Sequence, residues 1–253
     1  MSFARYPSLD KAVVYITGGA SGIGEAMVRA FAEQGARVGF VDMADGPAQA
    51  LVTELSAKGA TVRFAHADLR DIDQLKGAFA ELEAALGPAG VLVNNAARDD
   101  RHGWAEVTPE FFDERFATNL RHMFFAIQAV APAMIAAGKG SIINIGSNSW
   151  FEAAAGLPVY ATAKSAAHGL TRSFARELGP HRIRVNAIVP GWIMTERQKQ
   201  LWATPEALAK QRARQCLPDL VDPVYVARMA LFLASDDSAM CTANNYMVEA
   251  GSI

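Results

Sequence analysis

The chain has little cysteine: two in 253 residues, Cys216 and Cys241, with no CxxC spacing between them. That excludes a disulfide framework and suits a reducing compartment. An excess of either charge is also missing, with 24 Lys+Arg against 26 Asp+Glu and a formal charge of -2. No basic tract occurs, so nothing in the balance calls for nucleic acid or an anionic membrane. No run reads as long enough for a membrane span, and residues 1–11 have no apolar core of signal-peptide length. The expected location is therefore cytoplasmic. His66, His102, His122, His168 and His181 are scattered without the paired spacing of a zinc protease, so no metal is expected. Gly146-Ser147-Asn148-Ser149 lacks the closing glycine of a G-x-S-x-G elbow, which argues against an esterase.

What is present is an ordinary globular composition, 51% hydrophobic and 20% charged, in a length suited to one α/β domain. Residues 13–16 read as a short buried strand, and Thr17-Gly18-Gly19-Ala20-Ser21-Gly22-Ile23-Gly24 follows as a glycine-rich turn. Ile23, Met27, Ala30 and Phe31 then recur at helical spacing. Strand, turn and helix in that order either cradle a diphosphate on the helix amides or make a plain tight turn. Asp42 favours the cradle, because it ends the next apolar strand (36–41), where a carboxylate accepts the hydroxyls of an adenosine ribose and repels a 2′-phosphate. The spacing thus predicts NAD over NADP.

Further along, Asp45-Gly46-Pro47 reads as a turn before a helix over 48–58, and 61–65 as the third strand. Asp68 and Leu69 follow it, Asp68 serving either the adenine amino group or a turn. Asp71 and Gln74 resemble a capping box that opens a helix over 72–86. The fourth strand (90–94) leads into Asn94-Asn95-Ala96-Ala97, small enough for close passage of a nucleoside. The loop with Asp99, Asp100, Arg101 and His102 reads either as ligand-facing or as a solvated ion-pair loop. One helix is expected over 111–134, with Asn119 as a kink or water site.

The fifth strand (140–146) ends in Ser147-Asn148-Ser149-Trp150, and Tyr160 and Lys164 then share one face of a helix over 161–178. A nearby ammonium favours phenolate, giving a base usable near neutral pH. A sixth strand (183–189) runs into Pro190, Gly191, Trp192, Ile193 and Thr195, whose main chain suits an amide such as a nicotinamide carboxamide. Residues 192–218 read as a substrate lid, with Trp192 and Trp202 either covering a ligand or anchoring the segment. A last helix from Asp222-Pro223 and a short strand over 245–248 close a single domain, 1–253.

Taken together, the glycine turn, Asp42, Asp68, Asn94-Asn95-Ala96, Asn119, Ser147, Tyr160, Lys164, Pro190-Gly191 and Thr195 resemble the short-chain dehydrogenase/reductase family along nearly the whole sequence. Two departures stand out: Ala97 where the family often has glycine, and Thr242-Ala243 for its threonine-glycine. The resemblance implies a Rossmann-type, doubly wound, parallel seven-stranded sheet with helices on both faces. It implies a cofactor site from Gly18, Ser21, Gly22, Ile23, Gly24, Asp42, Asp68, Leu69, Asn95, Ala96, Tyr160, Lys164, Pro190, Gly191, Ile193 and Thr195. By the same resemblance Tyr160 is the general base, Ser147 holds the substrate oxygen, Lys164 lowers the phenol pKa and holds the nicotinamide ribose, and Asn119 positions a water.

Asp99-Asp100-Arg101-His102, residues 113–115 with 119–123, Ser147-Asn148-Ser149-Trp150 and residues 234–237 carry a closer resemblance to the bacterial aldose 1-dehydrogenases of this family, D-xylose dehydrogenases among them. This implies oxidation of the anomeric C1 hydroxyl of a pentose, 6-deoxyhexose or hexose to the lactone, in a homotetramer or dimer. Asp99, Asp100, Arg101, His102, Asn148, Ser149, Trp150 and Trp192 are the expected sugar contacts. Arg197, Lys199, Lys210, Arg212 and Arg214 keep open an NAD(P)-dependent enzyme of a ketone, polyol or 3-oxoacyl thioester. The reading from another class is a non-catalytic dinucleotide-binding scaffold.

Overall fold

A computed structural model describes residues 4–253; the first three residues of the 1–11 stretch lie outside the described residues. Elements run β1 (Val13–Thr17), α1 (Gly22–Glu33), β2 (Arg37–Asp42), α2 (Asp45–Ala57), β3 (Val62–His66), α3 (Ile72–Leu86) and β4 (Val91–Asn94). They continue as α4 (Pro109–Phe116), α5 (His122–Ala137), β5 (Gly140–Ile145), α6 (Pro158–Leu178), β6 (Ile183–Pro190), α7 (Glu196–Leu201), α8 (Pro205–Arg214), α9 (Pro223–Ala234) and β7 (Asn245–Val248). The strands form one sheet in the order β3-β2-β1-β4-β5-β6-β7, and every pairing is parallel.

Strand period decides the two layers, because alternate side chains leave opposite faces of a sheet. Val14 and Ile16 enter a cluster with Phe31 of α1, Leu51 of α2 and Leu231 of α9. Tyr15 between them enters the other cluster, with Phe79 and Leu82 of α3, Ile127 of α5 and Leu178 of α6. Covering both faces explains why the strands read as near-continuous apolar runs. Strand order reverses between β1 and β4, and the carboxyl ends on either side of that reversal are where such sheets bind ligands.

Four details correct the sequence reading. Asp45-Gly46-Pro47 is the first turn of α2 and not a separate turn; proline is tolerated there because the amide it lacks has no helical partner. The helix expected over 111–134 is α4 and α5 joined through a π-helical turn, Ala117–Arg121, in which Asn119 is buried. Counted through that turn, Pro109–Ala137 is 29 residues long and apolar enough by composition to cross a membrane, contrary to the expectation that no run would be. Its α5 portion buries Met123, Ala126, Ile127, Val130 and Met134 in this fold. Finally, Gln74 does not close a reciprocal box on Asp71: its carboxamide donates to the Asp71 carboxylate and accepts from the Asp68 amide. The Asp71 carboxylate still caps α3 by accepting from the amides of Asp73 and Gln74.

Ala243 adopts φ 60°, the left-handed conformation that the family's glycine would take without a steric penalty. Its amide nevertheless donates to Val185 O at 2.8 Å, so the backbone still delivers β7 to β6.

Candidate active site

A cavity of about 970 Å³ opens along the carboxyl ends of the strands, from Asp42 and Asp68 at one end to Glu152 and Arg214 at the other. Gly18, Ser21, Gly22, Ile23 and Gly24 line it. Space at the glycine turn is fully used: a Cβ on Gly24 would lie 1.8 Å from Gly18 O, and one on Gly18, at φ 69°, 2.8 Å from Ala96 Cα. Ser21 stands at the N-cap of α1 without a side-chain capping bond, leaving the first-turn amides to a ligand anion. Asn95 fixes the turn from the next strand, its Nδ2 donating to Thr17 O at 3.0 Å and Gly18 O at 2.8 Å. Thr17 Oγ1 accepts in return from the amides of Asn95 and Ala96. These residues fit a dinucleotide: a side-chain-free cradle at a helix N-terminus, with the Asp42 carboxylate lining the same end of the cavity.

Asp42 is more occupied than its spacing suggests. Its Oδ2 accepts from Ala20 N at 2.9 Å, and its Oδ1 from Met43 N and Ala44 N at 2.8 and 3.1 Å. Of about four acceptor positions on a carboxylate, three hold the glycine turn and the strand end, leaving one open. Asp68 lines the cavity as well, but Arg70 grips its carboxylate through Nε and Nη2 at 3.0 and 2.6 Å. Arg70 also pairs with Glu114, so the cation at this end is already neutralised. Leu69, Asn95, Ala96, Pro190, Gly191, Ile193 and Thr195 complete the lining here.

Ser147, Tyr160 and Lys164 meet midway along the cavity. β5 ends just before Ser147, whose Oγ accepts from Ser149 N at 3.1 Å. α6 carries the other two one turn apart, with Lys164 Nζ 5.9 Å from the Tyr160 ring centroid. Lys164 is 1% exposed and donates to Ile145 O at 2.7 Å. Burial pushes its ammonium down to about 7, with Asp99 opposing. Burial likewise pushes the Tyr160 phenol above its ordinary range, helped by the Asp99 charge and opposed by the hydrogen bond with Ser147 and by Arg101. Burial thus disfavours the charged form of both groups. Beneath them His122 is fully buried, its Nε2 3.0 Å from Ala96 O. Burial and then the Lys164 charge drive its pKa down to about 3.

The expected substrate contacts divide. Asp99, Arg101, Asn148, Ser149 and Trp192 line the cavity; Asp100, His102 and Trp150 do not. Asp100 is a structural anion, paired with Arg98, Arg115 and Arg197 at 2.7–2.8 Å. Burial raises its pKa, and those three guanidiniums outweigh it, so the carboxyl lies below its ordinary value. His102 bonds Asp100 O through Nδ1 at 2.8 Å and accepts from Val159 N at 3.2 Å through Nε2, tying the loop to the start of α6. Trp150 turns to the protein, donating to His168 Nε2 at 2.9 Å and lying on Phe151. Asn119 stands behind the wall, bonded to Arg98 N and Arg115 O at 2.7 and 2.9 Å.

α7 and α8 line the remaining side with Gln198, Trp202, Lys210, Gln211 and Arg214. Thr195 caps α7 by accepting from Gln198 N, and Thr204 caps α8 by accepting from Ala207 N. Gln198 joins Trp192 Nε1 to Asp99 at 2.8 and 2.7 Å, and Arg197 bonds Asp100 at 2.8 Å. Glu152, Gln198, Gln211 and the inward role of Arg214 escaped sequence reading. The signal that could have found two of them was helical spacing: Ala207, Gln211 and Arg214 form one stripe once α8 is placed. Glu152 lies in an irregular loop and has no such signal.

A family model described as Enoyl-(Acyl carrier protein) reductase matches residues 18–252. The chain is 48% identical over 251 residues, 99% of each protein, to D-xylose 1-dehydrogenase of Caulobacter vibrioides. It is 47% identical over 249 residues, 98% of this chain and 97% of the other, to a Rhizobium meliloti protein named "Probable galactose dehydrogenase GalD". Among solved structures, a 3-oxoacyl-[acyl-carrier protein] reductase with bound NAD from Brucella melitensis superposes with TM-score 0.89 at 31% identity, covering 100% of this chain and 98% of that one. A blue fluorescent protein from a metagenomic library, in complex with NADPH, gives 0.88 at 36%, covering 97% and 99%. Likeness to oxidoreductases thus runs over the full length that holds the parallel sheet, the glycine turn and the Ser147-Tyr160-Lys164 set, and the chain belongs to the short-chain dehydrogenase/reductase family.

Proposed function

We propose that this oxidoreductase removes hydride from the anomeric C1 of a cyclic aldose and passes it to NAD, forming the aldonolactone. The full-length similarity to two sugar dehydrogenases carries the reading. The polar far end of the cavity supports it, since a pyranose or furanose needs several hydroxyls satisfied at once. NAD, when bound, would supply the hydride acceptor and a positive charge. Ser147 Oγ holds the C1 oxygen, and Tyr160 Oη takes its proton as the C1–H bond breaks and C1=O forms. Lys164 favours phenolate by its charge, a need made plain by the burial that raises the free phenol. Asn119, held to Arg98 and Arg115, would order a water behind Lys164.

NAD is favoured by the Asp42 charge and by the neutralisation of Arg70, which leaves no free cation beside Asp42 for a 2′-phosphate among the cavity-lining residues at that end. The 3-oxoacyl thioester alternative loses three of its five cations, since Arg197, Lys199 and Arg214 are each paired with a carboxylate of the same protein, and rests on Arg212 and on Lys210, which lines the cavity. Residues 192–218 act as a lid latched by Arg197 and Gln198. Phe112 and Phe124, of α4 and α5 and both at least 40% exposed, give a homotetramer or dimer its apolar contact; light scattering at micromolar concentration tests that assembly.

The deciding experiment is reduced-cofactor absorbance with D-xylose, L-arabinose, L-fucose, D-galactose, D-glucose, mannitol, secondary alcohols and an acetoacetyl thioester, each with NAD and NADP. Aldose-dependent NADH with transient lactone is the expected result. Activity confined to ketones, polyols or the thioester would overturn the reading, and tighter binding of NADP would overturn the cofactor choice.

A further inference from the structure

The far end of the cavity holds a polar group with more capacity than the protein uses. Glu152 has a side chain only 12% exposed, yet it lines the cavity. It follows Ser147 closely in sequence and is tied to the intervening Asn148, whose Nδ2 donates to Glu152 Oε1 at 2.5 Å. Ser252 Oγ donates to the same oxygen at 3.2 Å and lies 3.3 Å from Asn148 Nδ2. On the other oxygen, Arg214 Nη2 sits 3.2 Å from Oε2. The amide of Gly251 and that of Ser252 go instead to Glu249. A carboxylate offers about four acceptor positions; on Glu152 the open one belongs to Oε2, beside a guanidinium with further donors.

Two other groups in the same cavity are short of partners. Ser149 Oγ and Trp202 Nε1 are buried without a hydrogen-bond partner, and both residues line the same cavity. A buried donor or acceptor left unmade is unfavourable, so orphaned groups lining the same cavity as a held but unsaturated carboxylate point to a ligand rich in hydroxyls. Arg101 stacks on the Trp202 ring at 5.1 Å, fixing the indole that presents the N–H.

We infer that Glu152 and Arg214 together are the specificity clamp for a vicinal diol of the substrate, remote from the carbon that is oxidised. Glu152 Oε2 accepts from one hydroxyl, and a free Arg214 N–H donates to the oxygen of its neighbour. Asn148 and Ser252 are positioning residues, since they set the carboxylate rotamer from behind. This deepens the aldose reading and rests on it. It also explains why a carboxylate stands at this end: it accepts from hydroxyls at one relative configuration and leaves the epimer unpaired.

The test measures kcat/KM for D-xylose and D-galactose and for their 2-, 3- and 4-deoxy analogues, in the parent protein and in Glu152→Gln, Glu152→Ala and Arg214→Ala. NADH binding by fluorescence is followed in parallel as the readout that a general structural defect would move. In the parent, deoxygenation at one of two adjacent ring positions should lower kcat/KM about 10- to 150-fold, the scale of a hydrogen bond to a charged group. In Glu152→Ala the same deoxygenation should cost less than about threefold, because its partner is already gone, while NADH affinity stays unchanged. Arg214→Ala should flatten the response at the adjacent position. Should Glu152→Ala fail to fold, the isosteric Glu152→Gln decides alone, with a partial flattening expected. Equal discrimination in the parent and in the folded Glu152 variants at every ring position would overturn the clamp while leaving aldose oxidation standing. A parent protein inactive on every aldose but active on ketones would instead overturn the aldose reading, and the clamp with it.

Discussion

The nucleotide end of the cavity is walled by main chain and small side chains, Gly18, Gly22, Gly24 and Ala96, whereas the opposite end is walled by Asp99, Glu152, Gln198 and Arg214. The first wall is fixed by backbone hydrogen bonds to Thr17, Asn95 and Asp42. The second is fixed by side chains that reach between loops, such as Gln198 to Asp99 and Arg197 to Asp100. A wall of backbone admits one ligand shape and tolerates almost no substitution. A wall of side chains changes its ligand when one residue changes, without disturbing the sheet beneath it. Gly22 and Thr195 mark the seam, since a Cβ on the glycine would meet Thr195 Cγ2 at 3.1 Å.

The largest expected effect comes from the residue that belongs to neither wall. Tyr160→Phe keeps the ring and removes the proton acceptor, so turnover should fall by about 10²- to 10⁴-fold. Affinity for NAD, by calorimetry, should stay within about twofold. A variant that loses cofactor binding along with turnover would show that the two ends are not separately built. Asp42→Ala comes next and acts on the nucleotide wall alone. Removing the charge should narrow the preference for NAD over NADP by about 10- to 150-fold, the range of a charged hydrogen bond. Because Ala20 N loses its acceptor too, NAD itself should bind more weakly, with sugar KM unchanged once cofactor saturates. An unchanged preference would remove Asp42 as the selector.

The same division decides what can be read from residues alone. The strands and most helix bounds follow from apolar runs, caps and glycine stops, their parallel arrangement is what the family resemblance implies, and β7 falls on residues 245–248 as expected. Gly18 and Gly24 are legible because no other residue fits where backbone passes backbone. His102 and Trp150 are not, because a polar or aromatic residue in a loop carries no period to say which way it points. Their partners, Val159 N and His168, lie 57 and 18 residues away in sequence. The π-helical turn at Ala117–Arg121 is hidden for a related reason, since one extra residue in a helix leaves composition unchanged. Glu152 depends on Ser252, 100 residues distant.

Titration separates the two ends further. His122 lies under the nucleotide wall, its Nε2 bonded to Ala96 O, and its folded pKa is lowered from 6.5 to about 3. Between those values the unfolded state therefore binds a proton at this site and the native state stays neutral. Stability due to this group is whole above pH 6.5 and falls as pH drops towards 3. Chemical denaturation at pH 7 and pH 5 should show a loss on acidification that is smaller in His122→Gln, on the order of 1–2 kcal/mol at pH 5 by the scale of one pKa unit. An equal pH dependence in the variant would remove His122 as the source.

Arg197→Ala should give the smallest change and be confined to the sugar wall. Its guanidinium is 47% exposed and spans from α7 to Asp99 and Asp100 at 3.6 and 2.8 Å. An exposed pair of this kind contributes about 0.2–1 kcal/mol, and salt screens it. Arg98 and Arg115 also keep Asp100 paired when Arg197 is gone, so the loop itself stays in place. Only the fraction of molecules with α7 docked should fall, which raises the apparent KM for sugar by roughly 1.5- to 5-fold and leaves kcat and NAD affinity as they were. Added salt should raise the parent's KM towards that of the variant, because it weakens the same contact. A loss beyond about tenfold, or one insensitive to salt, would mean that Arg197, which lines the cavity beside Gln198, touches the sugar directly instead of acting through Asp99 and Asp100.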